Sequence, residues 1–158
     1  CEFKPRMSVL EIGCGTGLFL KFIERQGITD YLGIDADSRI LEFMPDELKK
    51  IIRITDAYQK LLSLDDIKIF DRVVLIDFFE HFNLNEGANL LSTIKPLLKK
   101  GGGIVVRVPN VASPWGLNWQ YLDLTHKAAY TSGSLRQLGL KAGFNCKVFA
   151  HRRGNPRK

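Results

Sequence analysis

A few side chains in this 158-residue chain stand where chemistry is usually done. The stretch VLEIGCGTGLF (Val9 to Phe19) places one acid, Glu11, just ahead of three glycines at alternate positions, Gly13, Gly15 and Gly17. Glycine turns a backbone through positive φ and lets a ligand touch it with no Cβ between them. Asp35 closes a second apolar run, 22 residues after Gly13, and a carboxylate there can accept both hydroxyls of a ribose. Asp56 and Ala57 follow a third run, where an acid can accept from an adenine amino group, and Asp77 and Phe78 follow a fourth. Two imidazoles, His81 in FFEHF and His126 in LTHK, are candidates for taking a proton from a reacting hydroxyl.

The glycines disfavour some ligands. A dinucleotide turn reads G-x-G-x-x-G and would have its third glycine at position 18, which is Leu18. No G-K-[ST] follows, which disfavours a nucleoside triphosphate loop as well. Cys14 lies inside the motif, where a small side chain suffices, and reads as structural and not as a nucleophile.

The elements that must position these residues alternate. Ser8–Ile12, YLGID, IIRIT, DRVVLID and IVVRV read as strands, and NCKVFAH as a sixth. Between them lie a helix over about 17–26 that Gly27 stops, and a short helix RILEFM capped by Asp37 or Ser38. A longer helix capped by Asn85 is disturbed by Pro96 and ended by Gly101–Gly103, and a last helix spans SGSLRQLGLKAGF. This alternation predicts a doubly wound α/β fold: a mostly parallel sheet between two helical layers. Such sheets bind ligands beyond the carboxyl ends of their strands, where strand order reverses. Glu11 to Gly17, Asp35, Asp56, Asp77 and Pro109–Asn110 all fall at or just after strand ends, on one rim.

In this order and spacing, VLEIGCGTG, GIDAD, TDA, FDRVVLIDFFEHF and LKKGGGIVVRVPN resemble the motifs of class I S-adenosylmethionine-dependent methyltransferases. The resemblance runs from Val9 to Phe149 and implies a Rossmann-like sheet of seven strands, with S-adenosylmethionine as the cofactor. By that resemblance the glycine turn, Gly13 to Gly17 with Cys14, passes under the methionine part, and Glu11 helps to hold it. Asp35 binds the ribose, with Ala36 against the adenine. Asp56 and Ala57 read the adenine edge, and Asp77 and Phe78 contact the methionine end. The cofactor has no pyrophosphate, and its sulfonium is a cation suited to an acidic rim. The chain reads as one methyltransferase domain over 1–158, without the helix that family members carry before the first strand and with little room for a seventh strand.

D-x-T-H followed by Y-T-x-x-S-L resembles a subgroup of these enzymes associated with surface-glycan and small-molecule biosynthesis. It implies O-methylation of a sugar or another small hydroxylated substrate, with His81 and His126 as the candidate catalytic bases. The rivals are a quinone-type phenol or a carboxylate as acceptor, a cofactor-binding domain without catalysis, and a nicotinamide oxidoreductase. The connection from Pro109 to about Thr131 carries Trp115, Trp119, Tyr121 and Tyr130, which can wall a substrate or merely anchor the loop. Some methyltransferases with an E-x-x-E-H pattern bind a divalent ion there. Asp77, Glu80 and His81 match it in part, with His126 within possible reach, and the reading adopted is no metal.

Composition narrows the partners. The formal charge is +6, but residues 147–158 hold five basic residues and no acid, leaving +1 on the rest. A nearly neutral body and the absence of an N-P-P-Y type motif argue against a nucleic-acid substrate. No run approaches the roughly 20 apolar residues of a membrane helix, and the first residues lack a signal peptide's apolar core. Three cysteines without framework spacing suggest reduced thiols and a cytoplasmic location. The oligomeric state is open.

Overall fold

The structure is a computed structural model that describes residues 2–55 and 69–149. Its centre is a parallel sheet of five strands: β1 (Ser8–Ile12), β2 (Asp30–Asp35), β3 (Ile52–Ile54), β4 (Phe70–Ile76) and β5 (Leu98–Arg107). Their spatial order is β3-β2-β1-β4-β5. The chain builds outward from β1 to β3, then returns to place β4 on the other side of β1. Strand order therefore reverses between β1 and β4, whose carboxyl ends carry Glu11 to Gly17 and Asp77.

Alternation along the central strands sorts the core into two layers. Val9 of β1 and Val74 of β4 face one side, with Leu20 and Ile23 of helix α1 (Leu18–Arg25) and Leu48 of helix α2 (Asp46–Lys49). Leu10, Ile12, Val73 and Leu75 face the other, with Leu90, Leu91 and Ile94 of helix α3 (Leu84–Ile94). Right-handed crossovers require this split, because β1 to β2 and β4 to β5 step in opposite directions across the sheet. The expected three layers are present, and all five strands are parallel.

Several boundaries differ from the sequence reading for local reasons. RILEFM forms a 3-10 turn over Ser38–Glu42, capped by the Asp37 side chain, which accepts from the Arg39 amide at 2.9 Å. Asn83, and not Asn85, caps α3: its side chain accepts from the Asn85 and Glu86 amides, and Glu86 accepts from the Asn83 amide. Pro96 lies beyond α3, in a 3-10 turn over Lys95–Leu97. Gly101–Gly103, read as a helix stop, lie inside β5 where its register against β4 shifts between Phe70 and Arg72.

The last helix is followed by no sixth strand among the described residues. Helix α5 (Ser132–Lys141) is capped by Thr131, and beyond it Asn145–Phe149 run without a strand partner. Val148 and Phe149 of that run are exposed, so its alternating pattern has no surface to bury against. The connection after β5 holds one short helix, α4 (Gly116–Tyr121), and returns to the sheet through a bridge between Asn110 and Tyr130. None of the helices is long and apolar enough to cross a membrane, among the described residues.

The capping box gives a local test. Asn83→Ala should lower the unfolding free energy by about 1 kcal/mol, whereas Asn85→Ala should change it little. Urea unfolding of the two variants checks this, and equal losses would contradict the observed cap.

Candidate functional site

The glycine turn is fastened to the end of β2. The amides of Gly13 and Cys14 both donate to the carbonyl of Ile34, at 2.8 and 3.1 Å. The Gly15 amide donates to Asp35 Oδ2 at 2.8 Å, and the Asp37 amide to Asp35 Oδ1 at 2.9 Å. The Asp35 carbonyl accepts from the Thr55 amide at 2.8 Å. Each carboxylate oxygen of half-buried Asp35 thus holds one backbone N–H and keeps acceptor capacity for a second donor. Ala36, next to it, is exposed.

The glycines divide their work in a way that sequence reasoning did not foresee. Gly13 has φ 72°, and a Cβ on it would stand 2.2 Å from the Phe78 ring. Its missing side chain makes room for Phe78, not for a ligand. Gly15 has φ 50°, and a Cβ there would meet nothing within 4 Å, so this is the bare backbone that faces open space. Gly17 ends the turn ahead of α1, with its amide donating to the Cys14 carbonyl. The Cys14 thiol points into the core under the sheet and is pushed up to about 12, chiefly by burial, then by Glu11 and Asp35. Burial there disfavours the thiolate.

Acids at this rim are unequally placed. Glu11 is 2% exposed, its Oε2 has no partner, and burial with the nearby Asp35 charge raises its carboxyl to about 8. Asp77 sits at φ 49° and is exposed; the Arg107 guanidinium, from the end of β5, grips both its oxygens. The Asp77 amide in turn donates to the Arg107 carbonyl at 3.0 Å. Arg107 escaped the sequence reading; its signal was the one cation in the apolar run IVVRV. Asp56 and Ala57 lie outside the described residues.

A cleft of about 380 Å³ opens beside this pair, past the ends of β4 and β5. Asp77, Glu80 and Arg107 line one part of it, and Trp119, Leu122 and His126 another. His126 Nδ1 is 2.9 Å from the Gln120 carbonyl, an acceptor, so Nδ1 carries the proton. His81 Nδ1 is 2.9 Å from Thr125 Oγ1, and that hydroxyl donates to Asp123 Oδ1 at 2.6 Å. The two rings meet edge to face, 4.8 Å between centroids. Long-range folding thus brings together two histidines 45 positions apart, together with Asp123 and Thr125, which the sequence reading had not assigned to the site. Of the four loop aromatics, Trp119 reaches the cleft, whereas Tyr130 is core, 5.6 Å from Phe79. Trp115 and Tyr121 are exposed.

Comparison with known proteins accords with this geometry. The model of a methyltransferase domain family matches residues 2–147. The chain belongs to that family. The methyltransferase domain is 35% identical over 103 residues to an uncharacterised methyltransferase of Alkaliphilus oremlandii (strain OhILAs), covering 65% of this chain and 46% of that protein. A solved S-adenosylmethionine-dependent methyltransferase from Archaeoglobus fulgidus superposes with a TM-score of 0.78 at 33% identity, covering 90% of this chain and 63% of the other. The small RNA methyltransferase HEN1 shares the fold at 15% identity and a TM-score of 0.65, over 89% of this chain and 19% of that one. The domain thus spans about half the length of the curated relative and under two thirds of the Archaeoglobus protein. The class I methyltransferase resemblance and the fold class read from the motifs are both borne out.

Glu11 yields a pH-dependent expectation. The folded domain keeps a proton that the unfolded chain gives up above 4.5, so this contribution to stability is complete below that pH and is lost as the pH rises through about 8. Glu11→Gln stays neutral at every pH. Its melting temperature should exceed the parent's at about pH 9 and converge on it toward pH 4.5. A gap independent of pH would show that Glu11 is ionised in the fold.

Proposed function

We propose that this domain transfers a methyl group from S-adenosylmethionine to a hydroxyl of a small molecule, a sugar or a glycan precursor being the best match. The observation that carries the cofactor half is Asp35. Its carboxylate is pinned by two backbone amides at the carboxyl end of β2, one strand from the switch point of the sheet, with acceptor capacity left for a ribose diol. Open space over Gly15 and the buried, unpartnered Oε2 of Glu11 fit the remainder of the molecule: bare backbone for the amino-acid part, a carboxyl beside a cation.

When bound, S-adenosylmethionine supplies a methyl group already activated by its sulfonium. The chain's residues have the other tasks. Asp35 and the glycine turn hold and orient the ligand, which is where alignment of the reacting atoms begins. Phe78 closes the floor of the turn over Gly13. Arg107 neutralises Asp77 at the boundary between the turn and the cleft. His126 in the cleft, with His81 edge to face against its ring, serves the acceptor hydroxyl: the pair takes its proton or holds the group that does. Trp119 and Leu122 provide apolar walls suited to the faces of a sugar or an aromatic ring.

The cleft favours a small acceptor over a polynucleotide. Its volume is that of a small-molecule site, and the body of the chain is nearly neutral. A phenol or a carboxylate would use the same cleft with less need of a proton acceptor.

Calorimetry should find S-adenosylmethionine binding to the purified protein, weakened at least about tenfold by Asp35→Ala; equal affinity would remove the ribose role. Labelled methyl donor should then be offered with nucleotide sugars, phenols and short RNAs. Label on a sugar is the expected result, label on RNA alone would overturn the acceptor assignment, and binding without any transfer would favour a non-catalytic domain. With an accepted substrate, His126→Ala should lower kcat by about 10²–10⁴, and unaltered turnover in both histidine variants would end their assignment to the hydroxyl.

A further inference from the structure

Helix α4 is packed inside out. Of its residues only Gly116 and Gln120, one turn apart, are buried. A Cβ on Gly116 would collide with the Asn110 carbonyl, so the helix backbone lies directly on the chain beneath it. Gln120 is tied inward twice: its Nε2 donates to the Ala128 carbonyl at 3.2 Å, and its own carbonyl accepts from His126 Nδ1 at 2.9 Å. The inward contacts of the helix are thus a glycine and an amide. A helix seated on a core shows the reverse, apolar residues inward and polar ones outward.

What faces outward is apolar. Trp115, Leu117, Trp119, Tyr121, Leu122 and Leu124 are each between 47% and 96% exposed. From Trp115 to Leu122 the sequence holds no charged residue. Asp123, the first acid after them, turns Oδ1 back on the Thr125 amide and hydroxyl. Exposed apolar residues such as Phe43 and Leu140 stand singly, which is ordinary for a protein surface. A run of six around one short helix is not, and such a patch marks a surface that something apolar covers.

We propose that this face seats the domain on a lipid bilayer with anionic headgroups, the indoles and leucines entering the boundary between headgroups and acyl chains. Tryptophan and tyrosine favour that boundary, because their rings are apolar while their N–H or O–H stays wet. Docking on one leaflet needs no spanning helix. The sequence puts its excess charge in residues 147–158, five basic residues and no acid, which complements anionic headgroups. Apolar burial and attraction to anionic lipid add in such binding. The cleft favours this occupant over a protein. Trp119 and Leu122 belong both to the exposed face and to the cleft wall. A second copy or another protein seated there would cover the opening through which an acceptor enters. A bilayer can itself present the acceptor, a hydroxylated headgroup on a lipid tail. That last step rests on the function proposed above; the docking does not.

Trp115 and Trp119 are the two tryptophans of the chain, so intrinsic fluorescence reports on this face alone. The test is titration with vesicles of phosphatidylcholine and phosphatidylglycerol, followed by sedimentation. Tryptophan emission should move to shorter wavelength, and the protein should pellet with the vesicles. Vesicles of phosphatidylcholine alone should bind it more weakly. Leu117→Ser combined with Leu124→Ser should weaken binding at least about tenfold, and Leu140→Ser should leave it as it is. Both substituted leucines are exposed and neither is among the cleft walls, so the melting temperature should stay at the parent's value. Unshifted emission with no protein in the pellet, or binding that the paired substitutions leave unaltered, overturns the docking. So does a reversible dimer abolished by the same substitutions in protein that ignores vesicles. S-adenosylmethionine affinity, measured by calorimetry on the same samples, gauges the methyltransferase reading separately.

Discussion

The site depends on one carboxylate that serves the backbone before it serves any ligand. Asp35 accepts the Gly15 amide with one oxygen and the Asp37 amide with the other. The first bond ties the glycine turn after β1 to the end of β2, and the second shapes the bend that leads away from it. A charged acceptor makes such bonds about twice as strong as a neutral one. The rigidity of the turn and the placement of the proposed hydroxyl-binding group thus rest on the same atoms. The acid is scaffold by these two bonds, and the binding role proposed for it would use the acceptor capacity they leave.

Around it, charge is arranged by burial more than by pairing. Glu11 and Glu80 are shut away from water, Glu11 with one oxygen and Glu80 with both lacking a hydrogen-bond donor, while Asp77, exposed at the same rim, is held by a guanidinium. Burial raises both carboxyls, and the charge of Asp35 or Asp77 adds to it. Such groups are costly to a fold unless something arrives to complete them. Glu11 lies on the side of the glycine turn and Glu80 on the side of the acceptor cleft. The two incomplete acids mark the two halves of the proposed reaction centre.

The connection after β5 is what turns a cofactor platform into a cleft. Backbone amides of Lys127 and Ala128 both donate to the Glu80 carbonyl, at 2.9 and 3.1 Å, and Val111 donates to Tyr130. These bonds draw the loop over the end of β4. Tyr130 in the core against Phe79 anchors it, so that Trp119, Leu122 and His126 can stand at the opening. The question left by the loop aromatics is answered by division: one anchors, one lines, and two face solvent.

Local pattern alone determined the strands, the glycine turn and the acids at the strand ends. Apolar periodicity, glycine chemistry and position after a strand are short-range properties, written in neighbouring residues. They carried the α/β class and the placing of these acids at the strand ends correctly. They did not carry the partner of Asp77, the use of Gly13 by Phe78, or the meeting of His81 with Thr125 and His126. Those pairings join residues 30 to 65 positions apart and depend on strand order and on where a loop lands. The lost sixth strand makes the same point. NCKVFAH has the right alternation, but a strand exists only where a neighbour offers its hydrogen bonds, and tertiary structure alone decides that.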